Sequence, residues 1–277
     1  MTQTLHPALS AEKVADLAVT ALHDEIDLTP KPGLVDRRGS GAHSDMSAAL
    51  LHDSADSLFA PLRECIYAGM DLGVGPSLRA RIGVIGRTGE AAMLTITRGV
   101  NTHRGALWAL GLLGTAIGTG ASGVAEILGT AAGLARLPDT AAPSHPSADS
   151  HGARARRRYG VPGAVGQAQS GFPIVTEHGL PALRTGGSLH ALLALMANLD
   201  DTCVLHRGGI TGLTDAQNGA RAVLDAGGPA SAAGARHFAA LDHLCATRRL
   251  SPGGSGDLLA VTLFLDALDH WSTACKP

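Results

Sequence analysis

Aromatic side chains are scarce in this sequence, since four phenylalanines, two tryptophans and two tyrosines make up only 3% of its 277 residues. Hydrophobic residues nevertheless account for 45% of the chain. The core must therefore be built mainly from Ala, Leu, Val and Gly, whose small side chains let helices approach one another closely. A chain of this length can bury a sizeable core, as one large domain or as two small ones.

Strand patterns are also lacking. No run of alternating β-branched residues is long enough to predict a strand, and no internal repeat of fixed period occurs. Helical periodicity dominates instead: Val14, Ala18 and Glu25 fall on one stripe of a helix that Ser10 can cap. A further helix is predicted to begin at about Glu90.

These patterns predict an all-α fold, a single multi-helix globular domain over residues 1–277. A stretch rich in Pro, Ser and Ala near residues 138–150 is typical of a surface loop. Both sides of this loop are helical in pattern and similar in composition, which favours one domain over two lobes.

The chain has no excess of charge, no paired cysteines and no signal-peptide pattern. Its formal net charge of −2 gives no reason to expect binding to nucleic acid or to an anionic membrane. Cys65, Cys203, Cys245 and Cys275 show no CxxC spacing, and we interpret them as reduced thiols in a cytoplasmic protein. The first residues lack a basic and then apolar run, so no signal peptide is expected.

Residues 105–125 contain no charged side chain and are long enough in principle to cross a bilayer. The stretch holds six glycines and several polar hydroxyls, and it lacks flanking aromatic anchors. We therefore predict a buried central helix with a glycine-rich exit rather than a membrane span.

Two polar clusters interrupt this apolar background. The first is TPKPGLVD at residues 29–36, followed by GAHSDM at residues 41–46, and the second is GVNTHRG at residues 99–105. Each brings charged side chains and an imidazole close to glycine, where backbone can approach a ligand. A helical core does not need this chemistry, whereas a site for a charged, phosphorylated substrate does.

In and before the first cluster, Glu25 and Lys31 are candidates for proton transfer and phosphate binding. Glu25 lies on the buried stripe at the negative end of its helix, and both effects favour a neutral carboxyl that can exchange a proton. Lys31 stands between two prolines, so its ammonium has a fixed position suited to phosphate. The alternatives are a carboxylate at the solvent boundary and a surface lysine in a Pro-rich turn.

Three further side chains of the first cluster, Asp36, His43 and Asp45, can converge on a divalent cation or on a sugar hydroxyl. Carboxylates suit hard cations, and magnesium usually arrives with substrate phosphates. The alternative for Asp45 is a helix N-cap.

In the second cluster, Asn101, Thr102, His103 and Arg104 stand at the start of an apolar helix. Free N–H groups and the helix dipole favour an anion there. Arg104 can bind phosphate in a bidentate manner, and His103 can donate a hydrogen bond or a proton. The alternative is a capped helix start with a solvated arginine.

Two later stretches also place polar side chains and glycines close to the end of a predicted helix. SPGGSGD at residues 251–257 is a glycine-rich loop that leads into a helix opened by Asp257, and it lacks the lysine of a P-loop. DDT at residues 200–202 and HRGG at residues 206–209 form a further polar cluster, directly after an apolar helix. The alternatives are a flexible turn and a salt-bridged helix end. The basic run at residues 154–158 is either a solvated helix face or a binding site for nucleotide phosphates.

Taken together, these blocks resemble the triphosphoribosyl-dephospho-CoA synthases. The resemblance extends over nearly the whole chain in the family's order, and its details are closer to the malonate decarboxylase branch than to the citrate lyase branch. The blocks that carry it are Glu25 with residues 29–36, 41–46, 99–106, 201–202 with 206–209, and 251–259.

The resemblance implies that ATP and 3′-dephospho-CoA give 2′-(5″-triphosphoribosyl)-3′-dephospho-CoA and adenine, with Mg²⁺ bound to ATP. It also implies that the product passes to a carrier-protein phosphoribosyl-dephospho-CoA transferase. The oligomeric state stays open, a homodimer included. The candidates for catalysis are Glu25, His43, Asp45 and His103. Those for substrate binding are Lys31, Asn101, Thr102, Arg104, Arg207, Ser251, Gly253, Gly254 and Ser255. Those for the metal are Asp36, Asp45 and Asp257.

One segment departs from the family's pattern. Val165-Gly166-Gln167 stands where such proteins tend to carry Arg-Gly-Glu, so this chain lacks two charges there. Two other functions stay open at this point. One is a magnesium-dependent N-glycosidic hydrolase, in which water replaces the 2′-hydroxyl; the other is a non-catalytic helical adaptor for a carrier protein.

Overall fold

The computed structural model describes residues 10–143 and 150–274, with side chains as far as residue 271. The predicted surface loop is therefore described only in part, and Cys275 lies outside the described residues. The helices are α1 (Ala11–Asp27), α2 (Ala48–Ser57), α3 (Phe59–Asp71), α4 (Pro76–Ile96), α5 (Arg104–Gly118), α6 (Gly123–Arg136), α7 (His151–Tyr159), α8 (Gly163–Gln169), α9 (Leu180–Asn198), α10 (Thr202–Asp225), α11 (Ala232–Thr247) and α12 (Gly253–Ala274). A π-helical turn, Val175–Gly179, leads into α9.

The described residues form no β-strand, and one hydrophobic core runs through the helices, so the all-α, single-domain prediction is confirmed. α1 begins as predicted, because the Ser10 side chain accepts a hydrogen bond from the backbone N–H of Lys13. The stripe of Val14, Ala18 and Glu25 is buried. Two helix starts were predicted wrongly: α4 begins at Pro76 rather than near Glu90, and Ser47 rather than Asp45 caps α2.

The uncharged stretch forms the buried central helix that the sequence predicted. α5 packs against α1, α3, α4, α6, α8 and α12, and nearly every residue from Ala106 to Gly118 is buried. A Cβ on Gly118 would lie 2.1 Å from the carbonyl oxygen of Ile66, and one on Gly69 would lie 2.3 Å from that of Thr115. Glycine therefore lets the backbones of α3 and α5 touch, which compensates for the shortage of large aromatic side chains.

By length and composition, no single helix in the described part of the chain would span a membrane. Two helix pairs meet the test only when joined across sharp breaks, of 112° between Arg104–Gly118 and Gly123–Arg136, and of 58° between Val175–Asn198 and Thr202–Asp225.

Two Gly→Ala substitutions should have opposite effects on the stability of the protein, one at the contact between α3 and α5 and one on the open surface of α6. Gly118→Ala should destabilise the protein by about 1–3 kcal/mol, because the new methyl group overlaps backbone. Gly129→Ala, on α6, should stabilise it by about 0.5–1 kcal/mol, because a Cβ there meets nothing within 4 Å and alanine favours helix. Urea unfolding of both variants measures this, and equal stabilities would contradict the close-contact interpretation.

Candidate functional site

The predicted polar clusters come together around one cavity of about 600 Å³. Lys31, Asn101 and Asp257, which are far apart in the sequence, all line it. The other predicted site residues that line it are Glu25, His43, Asp45, Thr102, His103, Arg104, Arg207, Ser251, Gly253 and Gly254. Asp36 and Ser255 do not line it. The shared cavity is the geometric condition for these residues to act on one ligand, and their individual roles stay predictions.

Glu25 and Lys31 form a buried ion pair at the end of α1. The Lys31 Nζ donates to the Glu25 Oε1 at 2.9 Å and to the Glu25 carbonyl oxygen at 2.5 Å. Lys31 is only 1% exposed and Glu25 8%. The positive charge of Lys31 is therefore paired within the protein, with the carboxylate of Glu25.

His43 is held between Arg207 and Ser251. An Arg207 Nη2–H donates to His43 Nδ1 at 3.1 Å, and because a guanidinium can only donate, Nδ1 must be the unprotonated nitrogen. His43 Nε2 then donates to Ser251 Oγ at 2.8 Å. Burial and the charge of Arg207 lower the pKa of His43. The ring is therefore neutral at pH 7, although Asp45 lies 3.7 Å from Nδ1.

His103 is buried and its Nδ1 lies 2.8 Å from the hydroxyl of Ser54, which also contacts the Thr102 hydroxyl at 2.6 Å. Burial, with smaller contributions from nearby positive groups, lowers the pKa of His103 to about 4. At neutral pH this histidine can donate a hydrogen bond but carries no extra proton.

The first turn of α5 is already hydrogen-bonded by the protein. Asn101 Oδ1 accepts from the Arg104 N–H at 3.3 Å, and Asp257 accepts from the backbone N–H of Ala106. The His103 N–H points to the sulfur of Met93 at 3.4 Å. Protein groups therefore use the N–H groups of Arg104 and Ala106, and the binding of a substrate anion at this helix start stays a prediction.

The glycine-rich stretch at residues 251–256 was predicted to be a loop, and this is corrected, whereas its binding of phosphate stays a prediction. Gly253–Ala274 is already helical, so the glycines form the first turn of α12. Asp201, the N-cap of α10, accepts from the Ser255 N–H at 2.8 Å and from the Ser255 hydroxyl at 3.0 Å. Glycine lets this turn approach Asp201 closely, since a Cβ on Gly254 would lie 3.2 Å from the Asp201 carboxylate. The turn therefore binds a carboxylate of α10, whose pKa is raised by burial.

Asp257 lies at the meeting point of α12 and α5. A Cβ on Gly105 would be 2.1 Å from its Oδ2, so glycine makes room for this carboxyl group. Burial, and then the negative charges of Glu25 and Asp201, raise the pKa of Asp257 well above its ordinary value. The cavity thus holds two buried carboxyl groups in different surroundings: Glu25 is paired with Lys31, and Asp257 has a raised pKa.

The predicted metal ligands are not assembled as a set. Both oxygens of Asp36 accept hydrogen bonds, from the Lys31 N–H at 2.8 Å and from the N–H and Nε of Arg38 at 2.8 and 2.9 Å. Asp45 and Asp257 line the cavity without Asp36. Among the described residues, no group of three or more His, Cys, Asp or Glu side chains has a geometry that could hold a metal ion.

Several cavity residues were missed by the sequence reasoning. Glu90 on α4 forms an ion pair with Arg104, which was predicted to bind phosphate. His151 and His206 stack on one wall, with ring centroids 3.9 Å apart. Arg79 on α4 and Trp108 on α5 also line the cavity. Starting α4 at Pro76 would have placed Arg79 and Glu90 together on one helix.

Comparison with known proteins agrees with the resemblance of the blocks. The family model described as "ATP:dephospho-CoA triphosphoribosyl transferase" matches residues 11–276. The chain is 58% identical to "Probable 2-(5''-triphosphoribosyl)-3'-dephosphocoenzyme-A synthase" of Stutzerimonas stutzeri, over 96% of this chain and 94% of that protein. The protein of the same name from Azotobacter vinelandii is 52% identical, over 94% and 92%. No solved structure matches the chain significantly.

This chain belongs to the ATP:dephospho-CoA triphosphoribosyl transferase family.

Residues 165–167, which depart from the Arg-Gly-Glu pattern expected for the family, border the cavity. Val165 and Gln167 both line it. Gln167 is 7% exposed, and its Oε1 has no hydrogen-bond partner among the described residues. An apolar side chain and an uncharged amide therefore face the site where the pattern predicts two opposite charges.

Asp201 should be essential for stability, because it connects the starts of α10 and α12. Besides Ser255, its Oδ1 accepts from the backbone N–H groups of Cys203 at 2.9 Å and Val204 at 3.3 Å. Asp201→Ala leaves these donors unsatisfied and should cost about 2–4 kcal/mol. The exposed neighbour provides the control: Asp200→Ala should change stability by no more than about 0.5 kcal/mol. Equal free energies of unfolding for the two variants would refute this role.

Because His103 is buried as a neutral ring, we predict that the protein loses stability in acid. The folded protein protonates this ring only near pH 4, whereas the unfolded chain does so near 6.5. Between these values the unfolded chain binds more protons, so stability falls as the pH is lowered, by on the order of 2–3 kcal/mol for this group.

His103→Asn, which can keep the contact to Ser54, should therefore flatten the decline in unfolding free energy between pH 7 and pH 4. The exposed His237→Asn is the control and should follow the wild-type curve. An unchanged slope in His103→Asn would show that this ring is not the source of the acid sensitivity.

Proposed function

We propose that this protein transfers the 5-triphosphoribosyl group of ATP to the 2′-hydroxyl of 3′-dephospho-CoA and releases adenine. The observation that supports it most is the shared cavity, which collects the polar blocks of a chain that matches the family over nearly its whole length. Its volume of about 600 Å³ lies within the range of small-molecule sites.

In this reaction the 2′-oxygen of dephospho-CoA forms a bond to the anomeric carbon of ATP's ribose, and the bond from that carbon to adenine breaks. Positive charge develops on the ribose as in other glycosyl transfers. The hydroxyl proton must be removed by a base, and the departing adenine must take up a proton. One carboxyl group that accepts a proton and another that donates one would meet these needs.

Glu25 is our candidate for the base. Lys31 donates one hydrogen bond to its carboxylate and one to its backbone carbonyl oxygen, and so fixes its position. Asp45, which is more exposed, is the second candidate. Because His43 and His103 are neutral at pH 7, we transfer the role of adenine's proton donor to Asp257, whose pKa is raised well above its ordinary value by burial. His103 then acts as a hydrogen-bond donor to a substrate, whereas the one N–H of neutral His43 already donates to Ser251.

The phosphates require cations whose charge is not used by the protein. Lys31 and Arg104 each have a carboxylate partner, Glu25 and Glu90. Arg207 bonds instead to the carbonyl oxygens of Ala42 and Arg249 and to His43, so its positive charge remains available beside the cavity. We therefore place Arg207 before Lys31 and Arg104 as a ligand for substrate phosphate.

The wider assignment follows the resemblance of the sequence blocks. We propose that the product is the precursor of the malonate decarboxylase carrier-protein prosthetic group and passes to a phosphoribosyl-dephospho-CoA transferase in the cytoplasm, where ATP and dephospho-CoA are present. We further propose that Mg²⁺ enters with ATP, held by its phosphate oxygens, which is the usual mode of arrival of this ion.

Replacing the proposed base should slow the reaction far more than it weakens binding. Glu25→Gln should lower kcat by about 10²–10⁴-fold with little change in KM, because the hydroxyl proton loses its acceptor. Adenine release from ATP and dephospho-CoA, followed by chromatography, measures this. Asp24→Asn removes an exposed carboxylate next to Glu25 and should retain the wild-type kcat.

Circular dichroism of Glu25→Gln must accompany the assay, since Lys31 loses its partner. A folded Glu25→Gln with near-normal kcat would contradict the assignment of the base. Supplying ATP without dephospho-CoA tests the reaction class: adenine release should depend on the acceptor, and equal release without it would show a hydrolase. A carrier-binding adaptor would release no adenine in either case.

A further inference from the structure

Arg79 is a buried cation that borders the cavity and that the proposed mechanism does not use. It lies on α4 and is 8% exposed. Its Nε and Nη1 have no hydrogen-bond partner among the described residues. Buried polar groups are normally paired, so two unsatisfied donors on one buried guanidinium indicate that a partner binds there.

The charge of Arg79 is only half balanced. Asp139 Oδ2 lies 3.5 Å from Arg79 Nη1 and 2.6 Å from Arg87 Nη1. The short contact and the hydrogen bond go to Arg87. Two guanidinium groups therefore share one carboxylate, and because Arg79, Arg87 and Asp139 all line the cavity, a net positive charge remains at this wall.

Neighbouring groups on α5 add donors of the same kind. The Arg79 Cζ lies 5.3 Å from the centre of the Trp108 ring. Trp108 Nε1 and Arg104 Nε are also buried without a partner in the described part of the chain. Arg104 and Trp108 are four residues apart, so they lie on the same face of the helix.

There is also room for a ligand next to α4. Gly86, which lines the cavity between Arg79 and Glu90 on that helix, would carry a Cβ with no atom within 4 Å. The unsatisfied groups on α4 and α5 are all N–H donors, and their surroundings carry excess positive charge. Such a set suits the oxygens of an anion, and planar guanidinium groups bind phosphate in particular.

We propose that Arg79, Arg87 and Trp108 form a phosphate subsite of the cavity, in which Arg79 and Trp108 donate to phosphate oxygens and Arg87 adds charge. The identity of the phosphate rests on the proposed function, which supplies two sources: the triphosphate of ATP and the diphosphate of dephospho-CoA. The binding of a polyphosphate at these residues does not depend on it.

Calorimetric titration of the full chain with inorganic tripolyphosphate tests the subsite directly. Arg79→Gln removes the unpaired donors and leaves the Arg87–Asp139 pair in place, so affinity should fall at least tenfold. The control is Arg81→Gln on the same helix, which removes an equal charge from a half-exposed side chain paired with Asp71 outside the cavity. Its affinity should match the wild type, and equal affinity of all three proteins would overturn the proposal.

Trp108→Phe provides a second test that preserves the ring against Arg79 and removes only the indole N–H. Tripolyphosphate affinity should fall about fivefold. This variant decides the matter if circular dichroism shows that Arg79→Gln does not fold, and unchanged binding in Trp108→Phe would then reject the subsite.

Steady-state kinetics identify the source of the phosphate. A rise in KM for ATP alone assigns the subsite to the triphosphate, and a rise for dephospho-CoA alone assigns it to the diphosphate. A folded Arg79→Gln with both KM values unchanged would overturn a role in substrate binding. If the wild type released no adenine but lost tripolyphosphate binding on Arg79→Gln, the proposed function would fail while the subsite stood.

Discussion

The buried ion pair between Lys31 and Glu25 is the interaction on which the arrangement of the site depends. An ammonium that is 1% exposed must have a close partner, because an unpaired buried charge costs several kcal/mol. Glu25 supplies both a carboxylate and a backbone carbonyl oxygen. The pair therefore holds the Pro-rich segment against the end of α1, beside the first turn of α12, where Gly256 closely approaches the Glu25 carboxylate.

A second constraint is the close approach of helix starts in a core with few large side chains. Asp201 binds the first turn of α12, and Asp257 in turn reaches the first turn of α5. Glycines at Gly254 and Gly105 leave space for these carboxyl groups. Two of the backbone donors at these helix starts, the N–H groups of Ser255 and Ala106, are thereby used within the protein.

Much of the fold followed from periodicity, and the errors have specific physical causes. The cap at Ser10 and the buried stripe of α1 were predicted because local hydrogen bonding and burial agree there. The first turn of α12 was predicted as a loop, since Gly253 and its neighbours have low helix propensity, yet tertiary packing against Asp201 overrides that preference. The late start assigned to α4 hid Arg79, although Pro76 in the first turn is a local signal for the start of a helix.

The sequence by itself determined the helical class, the family and the polar blocks that meet in the cavity, because helical periodicity and the residues of each block are local properties of the chain. Only the tertiary structure decided which charges are used within the protein. Glu90 neutralises Arg104, and Asp139 is shared by Arg79 and Arg87. These partners lie on other helices or loops, so the pairing of charges depends on how the helices pack and cannot be read from spacing along the chain.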